Sequence, residues 1–104
     1  MDAQLKKGVL SIAVLKILEK EDRYGYDIVK QLTGLFPDTD ESTFYSVFRR
    51  LKNEGLTEVY YGVDSNGPQR KYYRITELGR QGLANYLDSF EHIIEALKHL
   101  GITL

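Results

Sequence analysis

The thirteen positions from Gly67 to Gly79 read Gly-Pro-Gln-Arg-Lys-Tyr-Tyr-Arg-Ile-Thr-Glu-Leu-Gly, a tight turn, a short strand carrying three cations and two tyrosines, and a helix start in immediate succession. This layout suits a surface that holds a phosphate backbone better than an enclosed active site. Upstream, Thr57 to Val63 sets Val59, Tyr61 and Val63 against Glu58 and Tyr60, the alternation of a half-buried strand. Asp64 to Pro68 joins the two strands, and its Asn66-Gly67 pair supplies the positive φ that tight hairpins need. The return strand is expected over Gln69 to Ile75. Thr76 is expected to cap a following helix that has Glu77 in its first turn.

Three helices are expected before this hairpin. The first, over residues 5 to 20, has Leu5, Val9, Leu10, Ile12, Ala13, Val14, Leu15, Ile17 and Leu18 on more than one face, so more than one partner surface must cover it. Glu21 to Arg23 reads as a charged connection, and Tyr24-Gly25-Tyr26 leads into a second helix with Ile28, Val29, Leu32 and Leu35 on one stripe. Gly34 and Pro37 end it. The third is expected from Glu41 to Glu54, with Asp40 as its cap and Gly55 as its left-handed stop. Phe44, Val47, Phe48 and Leu51 share one side of it. Ser42, Tyr45, Ser46, Arg49 and Asn53 share the other.

Helix, hairpin, helix in this order predicts a mostly helical α+β chain: a winged helix-turn-helix DNA-binding domain over residues 1–76 and a long C-terminal dimerisation helix over 77–104. In that final helix Leu83, Leu87, Phe90, Ile94 and Leu97 step by 4, 3, 4, 3, the seam of a coiled coil, and Tyr86, Ile93 and Leu100 widen it. A domain this small cannot cover the whole stripe. Val9, Leu83, Leu87, Phe90, Ile94 and Leu97 are therefore the candidate dimer residues.

Charge supports the same division. The chain of 104 residues has a net charge of −1, which argues against coating nucleic acid by bulk attraction. Yet Arg49, Arg50, Lys52, Arg70, Lys71 and Arg74 face only Glu54, Glu58 and Asp64 in the middle of the chain, whereas Glu77, Asp88, Glu91 and Glu95 outnumber Arg80 and Lys98 later. A locally basic patch on an otherwise acidic chain fits a site-selective binder. Cysteine is absent, which removes disulfides, thiolate zinc sites and cysteine nucleophiles together. The longest apolar run, Gly8 to Leu15, is about half a membrane span and is flanked by Lys6, Lys7 and Lys16. With no signal-peptide pattern, the cytoplasm is the expected compartment and no membrane partner is expected.

The third helix is the candidate for the major groove, where base edges are read by side chains that donate or accept in pairs. Arg49 suits guanine, and Ser42, Thr43, Tyr45 and Ser46 lie near the helix start. The alternative is that Ser42 and Thr43 support the helix start while Arg49 and Arg50 form a solvated face. In the hairpin, Asn66, Gln69, Arg70 and Lys71 would reach the adjacent minor groove or its phosphates. Strand alternation forbids Arg70, Lys71 and Arg74 from all pointing one way, and Arg74 can equally serve a structural ion pair. His92, Glu95 and His99 share helical spacing, but a solvated helix face accounts for them; no metal and no cofactor are expected. No acid, base or nucleophile constellation is present to suggest an enzyme.

Lys7 to Leu18, Tyr24-Gly25-Tyr26-Asp27-Ile28, Thr43-Phe44-Tyr45, Arg49-Arg50-Leu51 with Glu54-Gly55-Leu56, and Gly67 to Thr76 followed by Gly79 together resemble the PadR family of bacterial transcriptional regulators. The resemblance runs from residue 5 to about residue 80. It implies a repressor-type regulator that dimerises through its C-terminal helix and leaves its promoter when a ligand binds. By position, Ser42, Thr43, Tyr45, Ser46 and Arg49 resemble the family's recognition helix and Asn66 to Lys71 its wing. Position 46 is Ser where many relatives have Pro. A single C-terminal helix resembles the short members, in which an apolar space lies between the two halves of the dimer. Tyr86, Phe90 and Ile94 would face that space, with Phe90 placed to stack on a small planar hydrophobic effector or simply to pack in the dimer core.

These observations lead to the expectation of a homodimer that binds double-stranded DNA at a palindromic operator, with recognition helices about 34 Å apart. The alternative from another class is a winged-helix protein-interaction module that does not bind DNA.

Overall fold

The computed structural model describes residues 2–62 and 69–104. The elements run α1 (Ala3–Lys20), β1 (Arg23–Tyr24), α2 (Gly25–Leu35), α3 (Glu41–Asn53), β2 (Thr57–Gly62), β3 (Arg70–Ile75) and α4 (Glu77–His99). This is the winged helix expected, with α2, the turn and α3 as the helix-turn-helix and β2–β3 as the stem of the wing.

Apolar residues on several faces make α1 the central element. Leu10, Val14, Leu15 and Leu18 are buried, and Ile12, Ala13 and Ile17 pack against the same core at its margin. The stripe of α2 contributes Ile28, Val29 and Leu32, and that of α3 contributes Phe44, Val47, Phe48 and Leu51. Leu35, expected on the inward stripe of α2, is instead 64% exposed, because the helix ends there and its last turn runs past the core.

Several local signals act as their chemistry predicts. Gly55 takes φ +77° and stops α3. The Thr76 hydroxyl accepts from the Gly79 N–H at 2.9 Å and donates to the Gly55 carbonyl at 2.7 Å, so one side chain caps α4 and ties it to the end of α3. Asp40 behaves otherwise. It occupies the position before α3, but its side chain makes no capping bond, and its backbone carbonyl accepts from Thr43 N–H at 3.0 Å.

The sheet has three strands in the order β1-β3-β2, all antiparallel. The strand β1 therefore begins at the end of the connection read as merely charged and takes in Tyr24, read as leading into the second helix; it pairs Arg23 with Tyr73 and Tyr24 with Tyr72. Two residues are too short for any alternation to be visible in sequence. The inner face of the sheet carries Thr57 and Val59 opposite Ile75 and Tyr73. Tyr61 shares that face and stands opposite Lys71, but it lies past the edge of the core and is 60% exposed, so alternation placed it correctly and burial did not follow.

The first turns of α4 belong to the same core. Gly79 is buried against the Leu56 carbonyl, Leu83 is 1% exposed, and Tyr86 packs at the margin. Beyond them, Leu87, Phe90 and Ile93 are 41–56% exposed. Among the described residues, no helix is long and apolar enough to cross a membrane.

Candidate nucleic-acid interface

At about 3.6 residues per turn, α3 divides into three strips. Phe44, Val47, Phe48 and Leu51 anchor it in the core, which leaves Ser42, Tyr45, Ser46, Arg49 and Asn53 exposed on the opposite side. Thr43, half-buried, lies on the flank toward α1. The outward strip holds hydroxyls, an amide and a guanidinium on a helix that cannot rotate without exposing two phenylalanines.

On the flank toward the sheet, Tyr45 stands edge-on to Phe48, with ring centroids 5.6 Å apart and planes at 82°, and Phe48 meets Tyr73 at 5.0 Å. This aromatic chain fixes the spacing between α3 and β3. Tyr45 is partly desolvated by it, which raises its phenol pKa, with the Glu41 carboxylate adding to the effect. Arg49, Lys52 and Asn53 of α3 line a shallow groove together with Lys71 and Tyr73 of β3. A neighbouring groove is lined by Tyr24, Tyr26, Tyr45, Gln69, Arg70 and Lys71. The polar strip of α3 and the base of the wing thus form one continuous surface.

Strand alternation separates the three wing cations. Lys71 is on the face of β3 that carries Tyr73 and Ile75, with its ammonium 5.5 Å from the Tyr73 ring centroid. Arg70, Tyr72 and Arg74 take the other face. There Tyr72 stacks on Tyr60 at 5.5 Å with planes at 14° and meets Tyr24 at 6.0 Å, so three strands are crossed by one row of tyrosines. Arg70 lies over the Tyr24 ring at 5.1 Å. Arg74 lies over Tyr60 at 4.6 Å and reaches Asp22 and Glu58, each at 3.3 Å. These two carboxylates raise the Arg74 pKa and give it the structural ion pairs that alternation left open. Asn66, expected at the tip of the wing, lies outside the described residues.

Two features of this surface had no signal in the sequence. Arg50, grouped there with a solvated face, is half-buried and donates to the Ser11 hydroxyl and, at 3.4 Å, to the Lys7 carbonyl of α1. Lys6 and Lys7 of α1 line a groove with Ser42, Thr43 and Ser46. Neither contact is visible in a periodicity, because each joins residues about forty positions apart.

The expected dimer residues divide as well. Leu83 is already enclosed by its own chain and has no surface left for a partner. Leu87 and Phe90 are 42% and 41% exposed, and Val9, Ile94 and Leu97 are half-buried. Of the three residues considered for a ligand, Tyr86 is half-buried against the core, whereas Phe90 and Ile94 lie further along the open stripe. His92 and His99 each pair within one turn, with Asp88 at 3.5 Å and Glu95 at 3.8 Å respectively.

Residues 14–85 match the model of the transcriptional regulator PadR-like family. A protein of Lysinibacillus sphaericus is 35% identical over 94 residues, covering 88% of this chain and 86% of its own. The negative transcriptional regulator PadR of Bacillus subtilis is 30% identical over 93 residues, 86% of this chain and 51% of its own length, so the chain spans about half of that relative. Among solved structures, a PadR-like transcriptional regulator from Bacillus cereus superimposes with a TM-score of 0.81 at 31% identity, covering 98% of this chain and all of that one. A match across most of the winged domain, joined to similarity along the whole of α4, makes this chain a member of the PadR-like family of transcriptional regulators.

Proposed function

We propose that the protein is a sequence-specific DNA-binding repressor that acts as a homodimer on a palindromic operator. The observation that carries this reading is the continuity of the exposed strip of α3 with Gln69, Arg70 and Lys71 across the Phe48–Tyr73 contact. In this reading Ser42, Thr43, Tyr45, Ser46 and Arg49 approach base edges and phosphates in the major groove, with Asn66, Gln69, Arg70 and Lys71 on the flanking backbone. Residues 1–76 with the first turns of α4 bind DNA, and the remainder of α4, through Leu87, Phe90, Ile94 and Leu97 together with Val9 of α1, pairs two protomers. Repression rather than activation is supported by the name of the Bacillus subtilis relative. A planar hydrophobic effector would enter between the two α4 helices and stack on Phe90 beside Tyr86 and Ile94.

The test is a gel-shift titration against the region upstream of the protein's own gene. Arg49→Ala should cost about 1–3 kcal/mol on the preferred sequence and relax selection, and Lys71→Ala should weaken binding to all sequences alike. Unchanged affinity in a folded, dimeric Arg49→Ala/Lys71→Ala variant would refute the assignment. Recovery of a protein partner with no DNA bound would favour the interaction module instead.

A further inference from the structure

We propose that Lys6 and Lys7 of α1 form a second phosphate clamp, on the flank of α3 opposite the wing. This rests on the DNA-binding reading above and deepens it. The two lysines line one groove with Ser42, Thr43 and Ser46, the first turns of α3. On the other flank the strip of α3 is bordered by Lys71. A helix lying in the major groove has a phosphate backbone on each side of it, so a cation on both flanks matches the spacing of the two strands better than a wing alone.

The rest of the structure holds these lysines in place. Arg50, one turn after Ser46, bonds to the Lys7 carbonyl and the Ser11 hydroxyl, which fixes the Lys7–Ser11 turn of α1 against α3. That contact uses the backbone of Lys7 and leaves its ammonium to solvent. Neither Lys6 nor Lys7 makes an ion pair among the described residues. Asp2, at the start of α1, turns its carboxylate onto the N–H groups of Gln4 and Leu5, at 3.0 and 3.3 Å, and Asp38 lines a separate groove with Lys6 without an ion pair to it.

Phosphate contacts are independent of sequence, so the probe is a mixed-sequence duplex of about three helical turns, with binding followed by fluorescence anisotropy across a salt series. Lys6→Gln/Lys7→Gln should reduce the slope of log K against log salt by about 1.8 for each bound protomer, from about 0.9 per phosphate contact. Lys6→Arg/Lys7→Arg should keep the slope. Lys16→Gln/Lys20→Gln removes the same two charges from the far end of α1 and should leave it nearly unchanged. A wild-type slope retained in Lys6→Gln/Lys7→Gln overturns the clamp while the DNA-binding reading stands. Equal losses in the two double glutamine variants also overturn it, since net charge alone would then be responsible. Absence of duplex binding by the wild-type protein at low salt overturns the DNA-binding reading and the clamp with it.

Discussion

Arg50 of α3 donates to the Ser11 hydroxyl of α1, and Ser11 in turn donates to the Lys7 carbonyl at 2.8 Å, so a fully buried serine is held from both sides. The guanidinium therefore joins the recognition-helix candidate to the central helix at a point where both are partly dehydrated. Arg50→Ala should lower stability by about 1.5–3 kcal/mol, the range for hydrogen bonds to charged groups. Arg50→Lys should recover part of this loss, because both bonds come from the single nitrogen Nη2 and an ammonium also carries several donors on one atom. Urea denaturation of the three proteins measures this, and a loss below about 0.5 kcal/mol in Arg50→Ala would contradict the role given to the contact.

Gly79 and Gly34 should respond to alanine with opposite signs. A Cβ on Gly79 would stand 2.0 Å from the Leu56 carbonyl oxygen, a backbone atom held by Thr76 N–H at 3.1 Å. Gly79→Ala must push α4 off the end of β2 and should cost about 3 kcal/mol or more. Gly34 has nothing within 4 Å of its Cβ position and lies in the last turn of α2, so Gly34→Ala should stabilise by up to about 1 kcal/mol. Thermal unfolding of both variants tests the pair.

Thr57 is 3% exposed, and its hydroxyl oxygen has no hydrogen-bond partner among the described residues. A hydroxyl in that position carries its desolvation cost without return. Thr57→Val keeps the shape and β-branching and should raise stability by about 1 kcal/mol in a denaturant titration. A clear loss would mean that the hydroxyl has a partner.

On the outer face of the sheet the Tyr60 phenol donates to Asp22 at 2.8 Å. That bond raises the Tyr60 pKa, since losing the proton would set a phenolate against a carboxylate; partial burial adds to the rise and Arg74 opposes it. With the folded value above the unfolded one, this contribution is fully present below the ordinary phenol range and is lost as the solution becomes more alkaline than that. Tyr60→Phe should therefore show a smaller loss of melting temperature on the alkaline side than the wild-type protein does. Arg74→Gln should lower the melting temperature at low salt and progressively less at high salt, because its two ion pairs are half in water.

Leu83 and Phe90 lie on one stripe of α4 but should fail differently. Leu83→Ala opens a cavity in the core and should cost about 2–4 kcal/mol in unfolding. Phe90→Glu, at a position 41% exposed, should leave the winged domain folded and shift sedimentation from dimer to monomer. A Phe90→Glu variant that remains dimeric would remove Phe90 from the proposed interface.

How far the sequence foretold this structure depends on the range of the interaction that decides each element. Helices α1 to α4, the Gly55 stop and the Thr76 cap follow from periodicity and from residues within four positions of one another. The exposed strip of α3 follows from the same period. The strand β1 did not, because its only evidence is pairing with β3 about fifty residues later. The role of Arg50, the approach of Lys6 and Lys7 to α3 and the enclosure of Leu83 escaped for the same reason. A heptad stripe reports which side of a helix is apolar and says nothing of where along that side the chain's own core ends.

The joint at Gly55, Thr76 and Gly79 has a mechanical consequence. Two hydrogen bonds, from the Thr76 hydroxyl to the Gly55 carbonyl and from the Thr76 N–H to the Leu56 carbonyl, and one close backbone approach at Gly79 attach the start of a 23-residue helix to the end of α3. Such a helix is about 35 Å long, so a tilt of about 5° at its root carries the far end through about 3 Å. Leu83 and Tyr86 seat its first turns in the core, so the winged domain and the far end at Leu97 and Leu100 are joined by one continuous helix, and any tilt of α4 on that core is read out as a displacement at the far end.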